Sequence, residues 1–234
     1  MNQHAWDVPP KRAIEIQQQL RTQVRLQPLD REVRFIAGAD VSMNLYSNVL
    51  YAGFAVMSWP DLAPVDHAVV EDVTKFPYVP GLLSFREIPA LLKAWAKLTT
   101  KPDLVVVDGM GIAHPRRLGI ASHLGVMLDV PALGCGKSIL TGICREPDSR
   151  AGSQSPLTDR STGEVIGMAL RTKARANPVY ISPGHLITLD ESVAIVSACL
   201  RGYRLPEPTR RAHELVNDFR RRALGSETDR ANVA

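Results

Sequence analysis

The segment Asp103–Arg117, DLVVVDGMGIAHPRR, constrains this chain most: four consecutive aliphatic residues end in an acid and give way to glycines, a histidine and two arginines. An apolar run without alternation is buried on both faces of a sheet, the situation of a central parallel strand. Asp108 then lies where the strand leaves the core, the position at which open α/β sheets place their ligand sites. Two further acids occupy comparable places. Asp40 follows VRFIAGA, and Glu87 lies in GLLSFRE, where a helix is predicted to begin.

Three carboxylates brought together from separate elements suit a hard, oxygen-seeking cation such as Mg²⁺ or Mn²⁺ better than a thiophilic metal. The neighbouring bases need an anionic partner. Arg116 and Arg117 follow directly, Lys137 stands in GCGKS after a second short apolar run, and His213 lies in an arginine-rich C-terminal helix. Carboxylates, a divalent cation, lysine and histidine together fit phosphodiester cleavage, in which charge on the scissile phosphate is neutralised and water is activated. Taken singly, each residue has a plainer reading: a solvated strand cap, a surface lysine, or a histidine on an ordinary amphipathic helix.

Two nucleotide-binding motifs fail on spacing. A phosphate-binding P-loop ending in Gly136-Lys137-Ser138 requires glycine at position 131, which is Pro131. A dinucleotide fingerprint starting at Gly109 and Gly111 requires glycine at position 114, which is His114, and no strand-end acid follows about twenty residues on. No nucleotide cofactor is expected.

The chain of 234 residues, 45% of them hydrophobic and free of repeats, is long enough for one sizeable α/β core, read as a single domain over residues 1–234. A net charge of +4 and a pI near 9.1 permit nucleic-acid binding without requiring it. Three cysteines without a CxxC pair indicate neither a disulfide framework nor a zinc site. With no secretory h-region or long apolar run, a soluble cytoplasmic protein with no membrane partner is expected.

Periodicity predicts a helix over Lys11–Gln27, an antiparallel meander of VRFIAGADVS, VLYAGFAVMSW and VDHAVVEDVTK with a turn at Tyr46-Ser47-Asn48, and a helix over Ile88–Leu98. Leu104–Val107 follows as the central strand, His114–Leu128 as a helix and Ala132–Gly136 as a short strand. Residues 145–162, rich in Ser, Asp, Pro, Arg and Gly, read as a mobile loop between strands, with VIGMAL and PVYIS beyond it. Thr188-Leu189-Asp190-Glu191 is a capping box, Pro208 sits in the first turn of the last helix, and residues 224–234 read as a frayed tail.

The blocks GADVS (38–42), PYVPGLLSFRE (77–87), DGMGIAHPRRLGIASHLGV (108–126), GCGKS (134–138) and SPGHLITLDES (182–192) resemble the endonuclease V family of deoxyinosine 3′ endonucleases. The likeness runs in order along most of the chain. Members of the family usually carry a polar residue, His or Gln, where this chain has Met110. The resemblance implies an α/β fold with an RNase H-like mixed sheet flanked by helices, and a Mg²⁺-dependent nuclease, with Mn²⁺ as substitute, that cuts the second phosphodiester bond 3′ to deoxyinosine. It implies that Asp40, Asp108 and Glu87 bind the metal and that Lys137 and His213 act on the phosphate and the attacking water.

For the lesion, the resemblance makes Tyr78 the strand-separating wedge and places Pro80, Gly81, Leu83, Gly109, Gly111, His114, Arg116 and Gly119 at the DNA and the flipped base. A base must leave the stack to be inspected, and small residues let main-chain groups approach its edge. Two alternatives stay open: cleavage of inosine-containing RNA, and a nucleic-acid-binding module of this fold that has lost its chemistry.

Overall fold

The computed structural model describes residues 4–45 and 47–231, with side chains to residue 225. Nine strands form one mixed sheet in the order β3-β2-β1-β4-β5-β9-β8-β7-β6. The meander β1 (Phe35–Met43), β2 (Val49–Ser58) and β3 (Pro64–Val73) is antiparallel, as the alternating sequence predicts. Strands β4 (Leu104–Val107) and β5 (Ala132–Gly136) then continue parallel to β1. All four residues of β4 are buried, as a central parallel strand demands.

Alternation along the strands sorts two cores. Ala37, Ala39, Val105 and Val107 pack against α2 (Leu83–Lys97) and α3 (Ile120–Leu128). On the other face Ile36, Leu104, Val106 and Leu133 pack with Val193, Ile195 and Val196 of α4 (Leu189–Ala198). Helix α1 (Pro10–Arg21) covers the outside of α2 and α3 through Ala13, Ile16 and Leu20. The extension β9 (Val179–His185), β8 (Val165–Leu170), β7 (Gln154–Thr158) and β6 (Ile143–Cys144) is antiparallel throughout. This is an RNase H-like α/β fold.

Helix α5 (Glu207–Ala231) crosses β1 and β2, and its entry is set by Gly38. A Cβ built on Gly38 would lie 1.9 Å from the Pro208 carbonyl oxygen, so only glycine admits the helix start here. The Thr188 capping box forms as predicted: Glu191 N–H donates to Thr188 Oγ1 at 3.3 Å, and Thr188 N–H donates to Glu191 Oε2 at 3.0 Å.

Several predicted boundaries move. Helix α1 ends at Arg21 instead of Gln27, and Val24 reaches the core from a turn closed by Arg21 O. Helix α2 begins at Leu83, five residues before the predicted start, because burial of Ser84, Phe85 and Ile88 outweighs the amide that Pro89 lacks. Helix α3 begins at Ile120 and not at His114, because Arg117 takes a φ of 57° and Gly119 N–H donates to Gly111 O, which turns the chain instead of winding it. Residues 145–162 are not wholly loop: they contain β7, whose Ser155 and Leu157 are buried. The C-terminal segment is helical to Ala231, and Tyr46 and residues 232–234 lie outside the described residues. Among the described residues, no helix is long and apolar enough to cross a membrane.

Gly38→Ala is expected to push the start of α5 off the sheet and destabilise the fold by about 1–3 kcal/mol, the usual cost of overpacking a tight site. For a domain of this size that lowers Tm by roughly 2–4 °C per kcal/mol. A thermal melt indistinguishable from the parent would show that α5 does not depend on this close approach.

Candidate active site

The parallel pairing of β1 and β4 builds the site. Ala39 lies opposite Val107, and Asp108 N–H donates to Ala39 O at 3.1 Å, so Asp40, within β1, and Asp108, just past the end of β4, stand side by side on adjacent strands. Helix α5 brings His213 onto Asp40, with Nδ1 2.8 Å from Oδ2. Lys137, just past β5, donates to Asp108 Oδ2 in an ion pair. Glu87, on the second turn of α2, is buried where the charges of the same two acids reach it. The structure therefore gathers Asp40, Glu87, Asp108, Lys137 and His213, five residues from five separate elements.

The electrostatics of this group are unfavourable as they stand. Burial, and then the charge of Asp108, push the Asp40 carboxyl up to about 6, against the pull of His213 and Lys137. Burial, followed by the charges of Asp40 and Asp108, pushes Glu87 up to about 8, against the pull of Arg86. Like-charged carboxylates held together in a low-dielectric site resist ionising together. A divalent cation relieves this, and donor atoms of Asp40, Asp108 and His213 lie within 4.8 Å of one another. Two carboxylates with an imidazole, and a third carboxylate behind them, fit a hard divalent ion.

Beside this group opens a cleft of about 320 Å³. Asp108, Gly136 and Lys137 line it together with Tyr78, Val79, Pro80, Gly81 and Leu83, the segment that makes its lip. Ser84, Gly109, Met110, His114, Leu118, Gly119, Ile120, Ser138 and Leu140 line the remainder. Tyr78 stands 73% exposed on this lip, where a packed core tyrosine would be covered. The turn behind it is closed by Leu82 N–H to Val79 O at 2.9 Å, with Pro80 and Gly81 (φ 78°) at its centre, the residue types a type II turn requires.

Two residues expected at the lesion are placed differently. Gly111 does not line the cleft; its N–H donates to Ser182 Oγ at 2.7 Å and its carbonyl accepts from Gly119. Arg116 turns inward: its Nε donates to Gln17 Oε1 at 2.5 Å and its Nη2 to Gly81 O at 2.6 Å. The adjacent Arg117 pairs with Asp159 at 3.0 Å and Glu164 at 2.9 Å, tying the β7–β8 hairpin to the turn before α3. Burial and the charge of Arg116 lower His114 to about 4, which leaves it neutral at pH 7.

Sequence reasoning missed Gln17 and Arg86. Gln17 lies on the same stripe of α1 as Ala13 and Leu20, and a polar residue within an apolar helical stripe is the signal that could have found it. Arg86 is buried and donates to Phe76 O and Ser47 O, each at 2.8 Å, fastening the loops around the acidic group. Nothing in its sequence context separates it from a solvated helix arginine.

The sheet order, with acids side by side on two parallel strands next to a lysine, defines a nuclease of the RNase H-like class. A sequence model of the endonuclease V family matches residues 18–214. An endonuclease V from Gloeobacter violaceus is 50% identical over 221 residues, covering 93% of this chain and 89% of that protein. The crystal structure of an endonuclease V from Streptomyces avermitilis superposes with a TM-score of 0.86 at 38% identity, covering 96% of each chain. A Ciona intestinalis endonuclease V, solved with a 24mer DNA containing an inosine followed by a ribo-adenosine, gives 0.79 at 25% identity over 89% of this chain and 96% of that one. The chain belongs to the endonuclease V family.

The buried Glu87 generates a prediction with a definite sign. Its carboxyl titrates near 8 in the folded protein against an ordinary 4.5, so between those values the folded state holds a proton that the unfolded state has released. Stability of the metal-free protein therefore falls as pH rises through this window. Glu87→Gln removes the titration. In metal-free buffer it is expected to raise Tm by a few degrees at pH 8 and by less at pH 5.5. Melts in chelator at both values check this, and an equal or opposite difference would show that Glu87 is not held protonated.

Proposed function

We propose that this protein is a DNA-repair endonuclease that recognises deoxyinosine and hydrolyses the second phosphodiester bond on its 3′ side, with Mg²⁺ as cofactor and Mn²⁺ as substitute. The observation that carries the reading is a single cleft lined both by Asp108 and Lys137 and by the exposed Tyr78. Binding of inosine-containing DNA by the Ciona intestinalis relative supports the substrate.

Asp40 and Asp108, with Glu87 behind them, would hold the cation, which supplies positive charge against the scissile phosphate. Lys137 keeps its ammonium beside Asp108 and neutralises charge that develops on the phosphate oxygens. His213 gives its Nδ1–H to Asp40, so Nε2 is the basic nitrogen, suited to take a proton from the attacking water. Tyr78 would enter the stack as inosine rotates out, replacing lost stacking with its ring. The flipped base would then rest among Gly81, Gly109, Gly119 and the apolar Met110, Leu118 and Ile120. A second reading is favoured by the ribo-adenosine in the Ciona intestinalis complex: inosine-containing RNA is cleaved at the same site. Matched DNA and RNA strands assayed side by side decide between the two.

Cleavage is expected to stop in excess EDTA and to return with Mg²⁺, and Asp108→Asn should abolish cutting while retaining binding of inosine-containing DNA. Lys137→Ala should slow single-turnover cleavage by about 10²-fold, the range for removal of one transition-state stabiliser. Undiminished cutting in EDTA, or by Asp108→Asn, would overturn the metal-nuclease reading.

Tyr78→Ala is expected to weaken binding of inosine-containing DNA by about 1–3 kcal/mol, the worth of one base–aromatic stack, without moving Tm. A fall in Tm with unchanged affinity would instead make Tyr78 a packing residue.

A further inference from the structure

Behind the cleft lip, three donors from two elements converge on one backbone oxygen. Gly81 O accepts from Arg116 Nη2 at 2.6 Å, His114 Nε2 at 3.0 Å and Gln17 Nε2 at 3.1 Å. A carbonyl offers two lone pairs, so this oxygen is more than fully subscribed. The donors also brace one another: Gln17 Oε1 accepts from Arg116 Nε at 2.5 Å, and His114 Nδ1 accepts from Arg116 N–H at 3.1 Å. This second contact assigns the proton of neutral His114 to Nε2, where it points at Gly81. Gln17 is 1% exposed on α1 and lines no part of the cleft, so it touches neither a flipped base nor a phosphate.

The turn so held is the one that carries Tyr78. Val79, Pro80 and Gly81 follow it directly, and Gly81 has a φ of 78° with Arg116 Nη2 2.8 Å from where a Cβ would stand. The tip itself is exposed at Tyr78, while Val79 behind it packs against the cluster of Phe76, Leu82 and Phe85. The hydrogen bonds to Gly81 O are part-buried, and the one from the Arg116 guanidinium is charge-assisted, the stronger kind, which fixes position where a bare turn would sample several.

We propose that Gln17, through Arg116 and His114, is a positioning residue for lesion recognition: the three side chains clamp the Gly81 carbonyl and thereby set the depth and direction at which Tyr78 meets the duplex. This rests on the reading of Tyr78 as the wedge, and it makes α1, remote from the chemistry, part of the specificity apparatus. Arg116 then serves recognition from inside the protein and is not spent on a DNA phosphate.

Two near-isosteric variants test the clamp. Gln17→Glu keeps the acceptor for Arg116 but turns the donor aimed at Gly81 O into a second oxygen, and Arg116→Lys cannot reach Gln17 and Gly81 together. In the free protein, amide hydrogen exchange at Leu82, whose N–H closes the turn onto Val79 O at 2.9 Å, is expected to quicken about tenfold in each variant, the equivalent of one charge-assisted hydrogen bond, while amides of β1 and β4 keep their protection. With inosine-containing DNA, the half-saturating protein concentration in single-turnover cleavage should rise about tenfold, with the maximal rate within about threefold of the parent. In a Tyr78→Ala background the same substitutions should add nothing to the loss of affinity.

Parent-like exchange in both variants would overturn the clamp, as would effects fully additive with Tyr78→Ala, which would mark Gln17 as a packing residue. The exchange arm uses no DNA. If the parent failed to discriminate inosine, the proposed function would fall on that result, while the clamp would still be decided by exchange.

Discussion

The parallel pairing of β1 with β4 is the constraint on which the rest of the molecule depends. It places Asp40 and Asp108 at matching heights on neighbouring strands, and backbone hydrogen bonds fix that height more firmly than any side-chain contact. The arrangement works against itself electrostatically, since burial and the neighbouring carboxylates raise the resistance of Asp40 and Glu87 to ionisation. Lys137 and His213 offset part of this, each through one contact. A residual acidity is left that a divalent cation can satisfy, so binding such an ion and stabilising the fold become linked processes.

Holding this group together takes supports on every side. Gly38 admits α5 close enough for His213 to reach Asp40, and Ser42 on β1 fastens the next turn of α5 through Asn217 at 2.8 Å. Arg204 Nη2 donates to Lys137 O at 2.8 Å and its Nε to Asn177 O at 2.9 Å, so the lysine stands on an anchored backbone. Arg86 fastens the loops after β1 and β3 to the helix that carries Glu87. Arg204 and Arg86 each join carbonyls from two segments, so rigidity is built beside the acidic group.

What could be read from the sequence follows from how local its determinants are. The apolar run at Leu104–Val107, the alternating meander and the Thr188 capping box each depend on neighbours within a few residues, and all three appear as read. Helix starts were less legible. Pro89 and His114 look like boundary signals, yet the first is overridden by burial of Phe85 and the second precedes a left-handed Arg117 that no local rule anticipates. The five residues of the acidic group are ones a family resemblance names. The inward turn of Arg116 was illegible, because its partners Gln17 and Gly81 lie 99 and 35 residues away and only the tertiary fold brings them together.

The site thus divides by the kind of bond that holds it. Asp40 and Asp108 are set by main-chain pairing between strands, which changes only if the sheet itself changes. Tyr78 is carried by a turn whose position is set by side chains, chiefly Gln17, His114 and Arg116, each replaceable without disturbing the sheet. On the reading proposed above, single side-chain changes would therefore shift the lip that carries Tyr78 against acids fixed by the sheet, so that the nucleotide accepted could vary while the acids stay put. A lip held in place by the proposed clamp would narrow the strands opened to those whose base already leaves the stack at low cost.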